Sequence, residues 1–175
     1  MKYKLLALLL CCSLTLFSKP ARVIRVIDGD TFVIETGERV RVIGINAPEM
    51  KTEYGEPAKQ HLLAMIEGKT VDLEPDHVSK DKDVYGRLLR YVYLDGVDID
   101  KKMVADGYAI AFLKYAFDKE TEYKAAEATA KTASLGIWQH AAADHTSPHF
   151  PVTAIIAIAV IAVLLVLIYF NRRKK

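Results

Sequence analysis

The chain has 175 residues, of which 51% are hydrophobic and 26% charged, and this allows one domain with attached segments. The net charge of +2 hides an uneven distribution, because seven of the 24 lysines and arginines lie at the two ends. Residues 22–151 contain 17 basic and 22 acidic side chains, which argues against a tight, non-specific nucleic-acid binder. That balance does not exclude an enzyme that recruits a cation to meet phosphate.

Residues 1–21 are predicted to be a secretory signal. A short basic start is followed by an apolar run at residues 5–17, which is too short to span a bilayer. A cleaved signal, an uncleaved anchor and a lipoprotein signal at Cys11 or Cys12 are all open. Because both cysteines lie here, a chain cut after the signal has no disulfide and no cysteine metal ligand.

The segment that follows predicts a small antiparallel barrel. Residues 23–27, 31–35 and 39–45 read as strands, with a turn at residues 36–38 and no helix between them. In a straight strand, Arg41 and Asn46 are an odd number of residues apart and point to opposite faces. A shared site therefore requires a bend or bulge near Gly44.

The rest of the domain alternates helix and strand. Ala58, Leu62, Met65 and Ile66 have helical spacing, and Gly68 ends that helix. Two more strands are predicted at residues 69–74 and 87–94, then a short helix capped by Asp100 and an Ala-rich helix at residues 119–135. Five strands with a helix after the third are typical of an α+β OB-fold, here over residues 22–138.

The C-terminal region predicts membrane attachment. Residues 139–151 read as a stalk, and residues 152–170 form 19 uncharged positions, enough for a transmembrane helix. The basic tail at residues 171–175 is expected in the cytoplasm, which leaves the preceding domain outside the cell. The stalk histidines, His140, His145 and His149, do not favour a metal site in a segment of this composition.

The hairpin at residues 26–49 concentrates the polar chemistry. Asp28 and Asp30 stand at its entry, Arg41 lies within it, and Asn46 and Glu49 follow its exit. Because paired strands lie about 5 Å apart, these groups are expected to meet in space. Oxygen ligands for a hard cation beside a guanidinium suit phosphate chemistry.

Three blocks in this order resemble the signatures of the staphylococcal nuclease (thermonuclease) family. They are Ile27-Asp28-Gly29-Asp30-Thr31, the run Arg-Val-Ile-Gly-Ile-Asn-Ala-Pro-Glu at 41–49 and Asp-Val-Tyr-Gly-Arg at 83–87. The resemblance implies an OB barrel and Ca²⁺-dependent hydrolysis of DNA and RNA that leaves 3′-phosphates. We expect a monomeric domain that prefers single strands and is tethered to the lipid bilayer through residues 152–170.

The resemblance also implies a metal site. Asp30 and the Ala47 carbonyl match metal ligands, and Asn46 stands where the family usually has a second Asp. An amide oxygen still suits Ca²⁺, but the lost charge predicts weaker binding. Asp28 is equally consistent with a turn residue, because Asp-Gly favours turns.

The catalytic residues implied are Glu49, which handles the attacking water, and Arg41 and Arg87, which stabilise transition-state charge. Tyr85 matches a nucleotide-binding tyrosine. The second aromatic position falls between Phe112 and Tyr115, and a core role is equally open for Phe112.

Two other classes of function are open. The acidic domain and Asn46 favour an inactive nuclease-like module that binds nucleic acid or protein. A carbohydrate-binding OB module at the cell surface is the third alternative, but it has no need for Arg41, Glu49 and Arg87 together.

Overall fold

The computed structural model describes residues 18–139. The predicted transmembrane segment, the basic tail, most of the stalk and residues 1–17 of the predicted signal lie outside the described residues. None of the helices between residues 18 and 139 has the length and apolar character needed to cross a membrane.

The described residues form a closed β-barrel with helices packed on it. The strands are β1 (Lys19–Val26), β2 (Thr31–Ile34), β3 (Arg39–Val42), β4 (Ile45–Asn46), β5 (Thr70–Glu74), β6 (Leu88–Leu94), β7 (Val97–Asp98) and β8 (Ile110–Ala111). The helices are α1 (Gly55–Ile66), α2 (Ile99–Ala105) and α3 (Glu120–Thr132), followed by a 3₁₀ turn at Gly136–Trp138.

The barrel confirms the predicted five-stranded fold. Strands pair in the order β3-β2-β1-β5-β6-β7, and a parallel pairing of β3 with β6 closes the sheet. β7 extends β6 as a hairpin, and β4 pairs separately with β8. The first strand begins at Lys19, before the predicted domain start at residue 22.

Alternation along the strands places the core. Val23 and Val40 are fully buried, and Arg22, Ile24 and Arg39 beside them along the strands are exposed. In β2, Phe32 is fully buried and its three strand neighbours are buried as well. Helix α1 covers this core with Ala58, Leu62 and Ile66, close to the predicted stripe, and Met65 packs at its edge.

The prediction that Asp100 caps the short helix is wrong. Helix α2 begins at Ile99, so Asp98 is the N-cap, and its carboxylate accepts the Lys101 N–H at 2.8 Å. Asp100 instead points inward and is fully buried. Its carboxyl group accepts the Val92 N–H at 3.1 Å and the Tyr123 hydroxyl at 3.3 Å.

Candidate active site

A bend at Gly44 brings the two ends of the predicted third strand into one site. β3 stops at Val42, Gly44 has a φ of +72°, and β4 resumes at Ile45. A Cβ at Gly44 would lie 2.5 Å from the Phe117 ring, so the position needs glycine for space as well as for conformation. The bend that the sequence required is therefore present.

Asp30 is the centre of the polar cluster. It is 8% exposed, and its Oδ2 lies 3.2 Å from Arg41 Nη2 and accepts the Ala47 N–H at 3.0 Å. Its Oδ1 accepts the Thr31 hydroxyl at 3.0 Å. Burial raises the pKa of the Asp30 carboxyl above its ordinary value, and Arg41 and the Ala47 N–H only partly offset this rise.

Arg41 joins the two predicted metal-ligating side chains. Besides its contact with Asp30, its Nη2 donates to the Asn46 amide oxygen at 3.3 Å. Its Nη1 donates to the Val42 carbonyl at 2.6 Å, which holds the guanidinium against the end of β3. Asp30, Arg41 and Asn46 therefore form one contact group.

Asp28 serves the turn that presents Asp30. Its Oδ1 accepts the Asp30 N–H at 3.0 Å, an Asx-type contact two residues apart. Gly29 lets this corner approach its neighbours, because a Cβ there would lie 2.5 Å from Ala47 Cβ. Asp28 also lines the cleft, so the structure supports its turn role without removing it from the site.

Arg87 reaches the same group from the residue before β6, the strand that pairs with β3. Its Nη1 lies 3.3 Å from the Thr31 hydroxyl, and Thr31 in turn donates to Asp30. Asp83 fixes this arginine, since Oδ2 accepts the Arg87 Nε–H at 2.7 Å and Oδ1 accepts the backbone N–H groups of Tyr85 and Arg87.

Asp83 is a site residue that the sequence prediction missed. Burial acts to raise the pKa of Asp83, but the hydrogen bonds from Arg87 and from the Arg87 and Tyr85 backbone outweigh it, so the pKa lies below its ordinary value. The available signal was its position four residues before Arg87, in a sequence that favours a turn.

Glu49 stands at the mouth of the cleft on a fixed turn. Its carbonyl accepts the Thr52 N–H at 2.8 Å and the Thr52 hydroxyl at 2.7 Å. Gly55, the first residue of α1, lies so close that a Cβ there would meet the Glu49 carbonyl oxygen at 2.2 Å. The Glu49 side chain is exposed, and it makes no hydrogen bond or ion pair with any residue between 18 and 139.

The predicted residues line a single cleft of about 1000 Å³. Tyr85 is 81% exposed at its edge, with the Arg87 guanidinium 5.5 Å from its ring centre. Phe112 and Tyr115 also line the cleft, with their ring centres 6.0 Å apart, and Tyr115 is 64% exposed. The cleft thus combines guanidinium groups, oxygen ligands and open aromatic rings.

The oxygen groups suit a hard cation better than a transition metal. No group of three His, Cys, Asp or Glu side chains suited to a metal occurs within residues 18–139. The buried Asp30 carboxylate and the Asn46 amide oxygen, which both contact Arg41, are oxygen donors of the kind that Ca²⁺ accepts, with water or phosphate completing the coordination. This donor set fits Ca²⁺ with a low ligand charge.

The two histidines of the barrel region take no part in the cleft. His61 Nε2 lies 2.7 Å from Asp106 Oδ2, and its ring stacks on Tyr108 with the ring centres 4.1 Å apart. His77 lies in the loop after β5, where its backbone N–H donates to Asp118.

Comparison with known proteins supports the family resemblance. Residues 39–140 match the family described as "Staphylococcal nuclease homologue". An Escherichia coli protein described as an uncharacterized endonuclease is 33% identical over 124 residues, covering 69% of this chain and 77% of that protein. Endonuclease YncB of Bacillus subtilis is 34% identical over 127 residues, covering 65% of this chain and 59% of that protein.

A plant relative shares only the corresponding domain. A probable staphylococcal-like nuclease of Oryza sativa subsp. japonica is 34% identical over 109 residues, which are 62% of this chain. The chain spans 27% of the length of that rice protein.

Proposed function

Because the chain belongs to the family of staphylococcal nuclease homologues, we propose that it is a Ca²⁺-dependent nuclease that hydrolyses phosphodiester bonds of DNA and RNA. The observation that carries the proposal is the convergence of Asp30 and Asn46 on Arg41, whose Nη2 lies 3.2 Å from Asp30 Oδ2 and 3.3 Å from Asn46 Oδ1, with Arg87 beside them. A site with one buried carboxylate and two guanidinium groups is built for a phosphate and a hard cation.

The metal is assigned to Asp30, Asn46 and the Ala47 carbonyl. When bound, Ca²⁺ would act as a Lewis acid on the phosphate and neutralise charge that develops there. Asp30 suits this role because burial disfavours its charged form, which a cation would stabilise. Arg41 already contacts both ligand side chains, so a cation and this guanidinium would share the same two oxygen groups.

The arginines bind and stabilise the phosphate. Arg87 is held by Asp83 through its Nε, and its remaining guanidinium N–H groups are directed towards Thr31 and the cleft. Two fixed donor groups stabilise a pentacoordinate phosphorane-like transition state with little reorganisation. Asp83 itself is a positioning residue, because it acts through Arg87.

Glu49 is assigned to the attacking water. A carboxylate at the mouth of the cleft, on a turn fixed by Thr52 and Gly55, can accept a proton from water as oxygen attacks phosphorus. We propose that the P–O5′ bond breaks, which leaves a 3′-phosphate on one product.

Single-stranded substrates are preferred in this proposal. Tyr85 and Tyr115 expose 81% and 64% of their surface at the cleft, and bases stack on such rings only when they are unpaired. The domain is proposed to act as a monomer outside the cell, tethered to the membrane by residues 152–170. Release of the domain from intact cells by added protease would support that orientation, and full protection would refute it.

The deciding experiment measures cleavage of labelled single-stranded DNA and RNA by the full chain with Ca²⁺ or with EGTA. Activity that needs Ca²⁺ and is lost in Glu49→Ala and Arg87→Ala supports the nuclease. Lys124→Ala, a change on the surface of α3, is the control. Binding without cleavage at several concentrations of Ca²⁺ would favour the alternative, an inactive nucleic-acid-binding module, for which Asn46 is the supporting feature.

A further inference from the structure

We propose that Arg39 and Arg25 form a phosphate-binding strip that carries a single strand away from the catalytic cleft across the outer face of the barrel. This inference rests on the proposed nuclease function and extends it to nucleotides beyond the bond being cut. The partner of the strip is the sugar-phosphate backbone of the same substrate strand.

Strand register places these arginines in line with the cleft. Arg25 pairs with Val33, and Val33 pairs with Arg39. Val40 pairs with Leu88 of β6, so the residues one step earlier, Arg39 and Arg87, are neighbours across that pairing. One cross-strand row therefore starts at Arg87 and leads through Arg39 to Arg25.

Burial shows which face of the sheet this row occupies. Phe32 and Val40 are fully buried in the barrel core, and each lies next to a member of the row along its strand. Alternation then directs Arg39 outward, on the same side as Arg41 two residues later. Val33, which lies between the two arginines in the row, is only 7% exposed, whereas Arg39 is exposed. Arg25 is exposed as well, at the irregularity between residues 23 and 25 of β1.

The two strip arginines differ from those of the cleft in having no acidic partner. Arg41, Arg87 and Arg90 are paired with Asp30, Asp83 and Asp81. Neither Arg25 nor Arg39 forms an ion pair or side-chain hydrogen bond with another residue of the described range 18–139. Their guanidinium groups are exposed donors that can bind phosphate oxygens.

The acidic residues nearest in sequence are engaged elsewhere. Glu35 accepts the backbone N–H of Arg22, and the Glu38 carboxylate lies 3.4 Å from Lys82 Nζ and 3.2 Å from the Thr36 hydroxyl. The turn between β2 and β3 therefore does not neutralise the strip arginines.

The spacing of the row suits successive phosphates. Neighbouring strands lie about 5 Å apart, so the row from Arg87 to Arg25 spans roughly 15 Å, before the reach of the side chains is added. That length corresponds to at most about four nucleotides, given at least 3.4 Å per nucleotide. The exposed side chain next to Arg25 is the apolar Ile24, and the exposed tyrosines lie in the cleft and not on the strip. The strip therefore contacts phosphates, and we expect it to bind single strands without sequence preference.

The test compares a short and a long substrate with the full chain. The double variant R25A/R39A is expected to raise the KM for a 5′-labelled twelve-nucleotide oligothymidylate by about three- to tenfold, since each exposed ion pair contributes modestly. The KM and kcat for a dinucleotide, which is too short to extend from Arg87 to Arg25, should change much less. R25K/R39K keeps both charges, so its KM for the long substrate should be close to that of the wild type. K101A/K124A, which removes two charges from α2 and α3, is the control and should leave that KM unchanged.

Salt dependence of binding provides a readout that does not need catalysis. With EGTA present, the slope of log affinity against log salt for the twelve-nucleotide strand should become less steep by about 1.4 in R25A/R39A, because each single-strand phosphate contact contributes about 0.7. The strip proposal would be overturned if R25A/R39A kept the wild-type salt slope. It would also be overturned if the KM rose equally for the dinucleotide and the long strand.

The two proposals can fail separately. If the wild-type chain binds the strand but cuts neither substrate, the nuclease proposal fails while the change in salt slope still decides the strip. If the wild-type chain does not bind the strand, the strip fails as well.

Discussion

Nη2 of Arg41 lies 3.3 Å from the amide oxygen of Asn46, although five positions separate the two residues in the chain. In a continuous strand these side chains would face opposite sides of the sheet. The positive φ of Gly44 reverses that relationship between β3 and β4, and Phe117 fills the space beside it. The site therefore depends on one backbone position that carries no functional group.

Gly44→Ala is predicted to destabilise the protein and to reduce activity. The left-handed backbone costs an alanine about 1–2 kcal/mol, and overpacking against Phe117 adds about 1–3 kcal/mol. Gly37→Ala is the matched control, because Gly37 has a φ of +84° but nothing within 4 Å of its added Cβ. Urea unfolding of both variants measures the difference, and equal losses would contradict a packing role for Phe117.

Asn46→Asp is predicted to tighten Ca²⁺ binding by about tenfold or more, because charge count tunes the affinity of oxygen sites. The new carboxylate would also bind Arg41 more strongly, and this competition with the cation reduces the gain in Ca²⁺ affinity. Calorimetric titration with Ca²⁺ measures it, and Asn46→Ser should weaken binding. An unchanged dissociation constant in Asn46→Asp would remove Asn46 from the ligand set.

Asp83→Asn is predicted to lower kcat by about tenfold or more while changing KM little, because it frees Arg87 without removing it. A shift of the Arg87 guanidinium weakens its contacts with the transition state more than its contacts with the bound substrate, because transition-state stabilisation depends on exact donor placement. Kinetics of the single variants Asp83→Asn and Arg87→Ala and of the double variant measure the coupling. Fully additive effects would mean that Asp83 does not act through Arg87.

The sequence predicted the barrel and the cluster because both depend on local rules. Alternating strands, turn residues and a helix after the third strand specify the fold. Hairpin geometry together with the bend at Gly44 brings Asp30 and Asn46 to the guanidinium of Arg41. Asp83 was harder to predict, because its role appears only when its carboxylate folds back on Arg87. The sequence could not decide whether Asp98 or Asp100 caps the helix. Aspartate is a favoured N-cap residue at either position, and the choice depends on whether the helix begins at residue 99 or residue 101.

Asp76 is predicted to contribute about 2 kcal/mol of stability that disappears in acid. Burial acts against its charge, but the N–H groups of Asp118 and Ser79 and the Tyr91 hydroxyl lower its pKa to about 2. A depressed pKa stabilises the folded state above the unfolded value of about 4, and the contribution is lost as pH falls from about 4 to 2. Asp76→Asn should therefore lose stability at pH 6 but little at pH 2.

Chemical denaturation at the two pH values checks this expectation, with Asp72→Asn, an exposed change on β5, as the control. A deficit of Asp76→Asn that is the same at both pH values would contradict the hydrogen-bond explanation.

Asp100→Asn is predicted to stabilise the protein at neutral pH, the opposite of Asp76→Asn. Complete burial and the nearby Asp98 raise the pKa of Asp100 well above its ordinary value, and the bonds from Val92 and Tyr123 only partly compensate. For a raised carboxyl pKa, the folded state retains its proton longer than the unfolded state. Stability is therefore lost as pH rises from the unfolded value of about 4 towards the folded pKa.

An asparagine keeps the acceptor for the Val92 N–H and has no charge to bury, so it avoids that loss. We expect Asp100→Asn to be more stable than the wild type at pH 8 and to match it near pH 4. Unfolding curves at both pH values measure the difference, with Asp72→Asn again as the exposed control. A stability loss at pH 8 would show that the ionised carboxylate is favourable where it lies, against the effect expected from its burial.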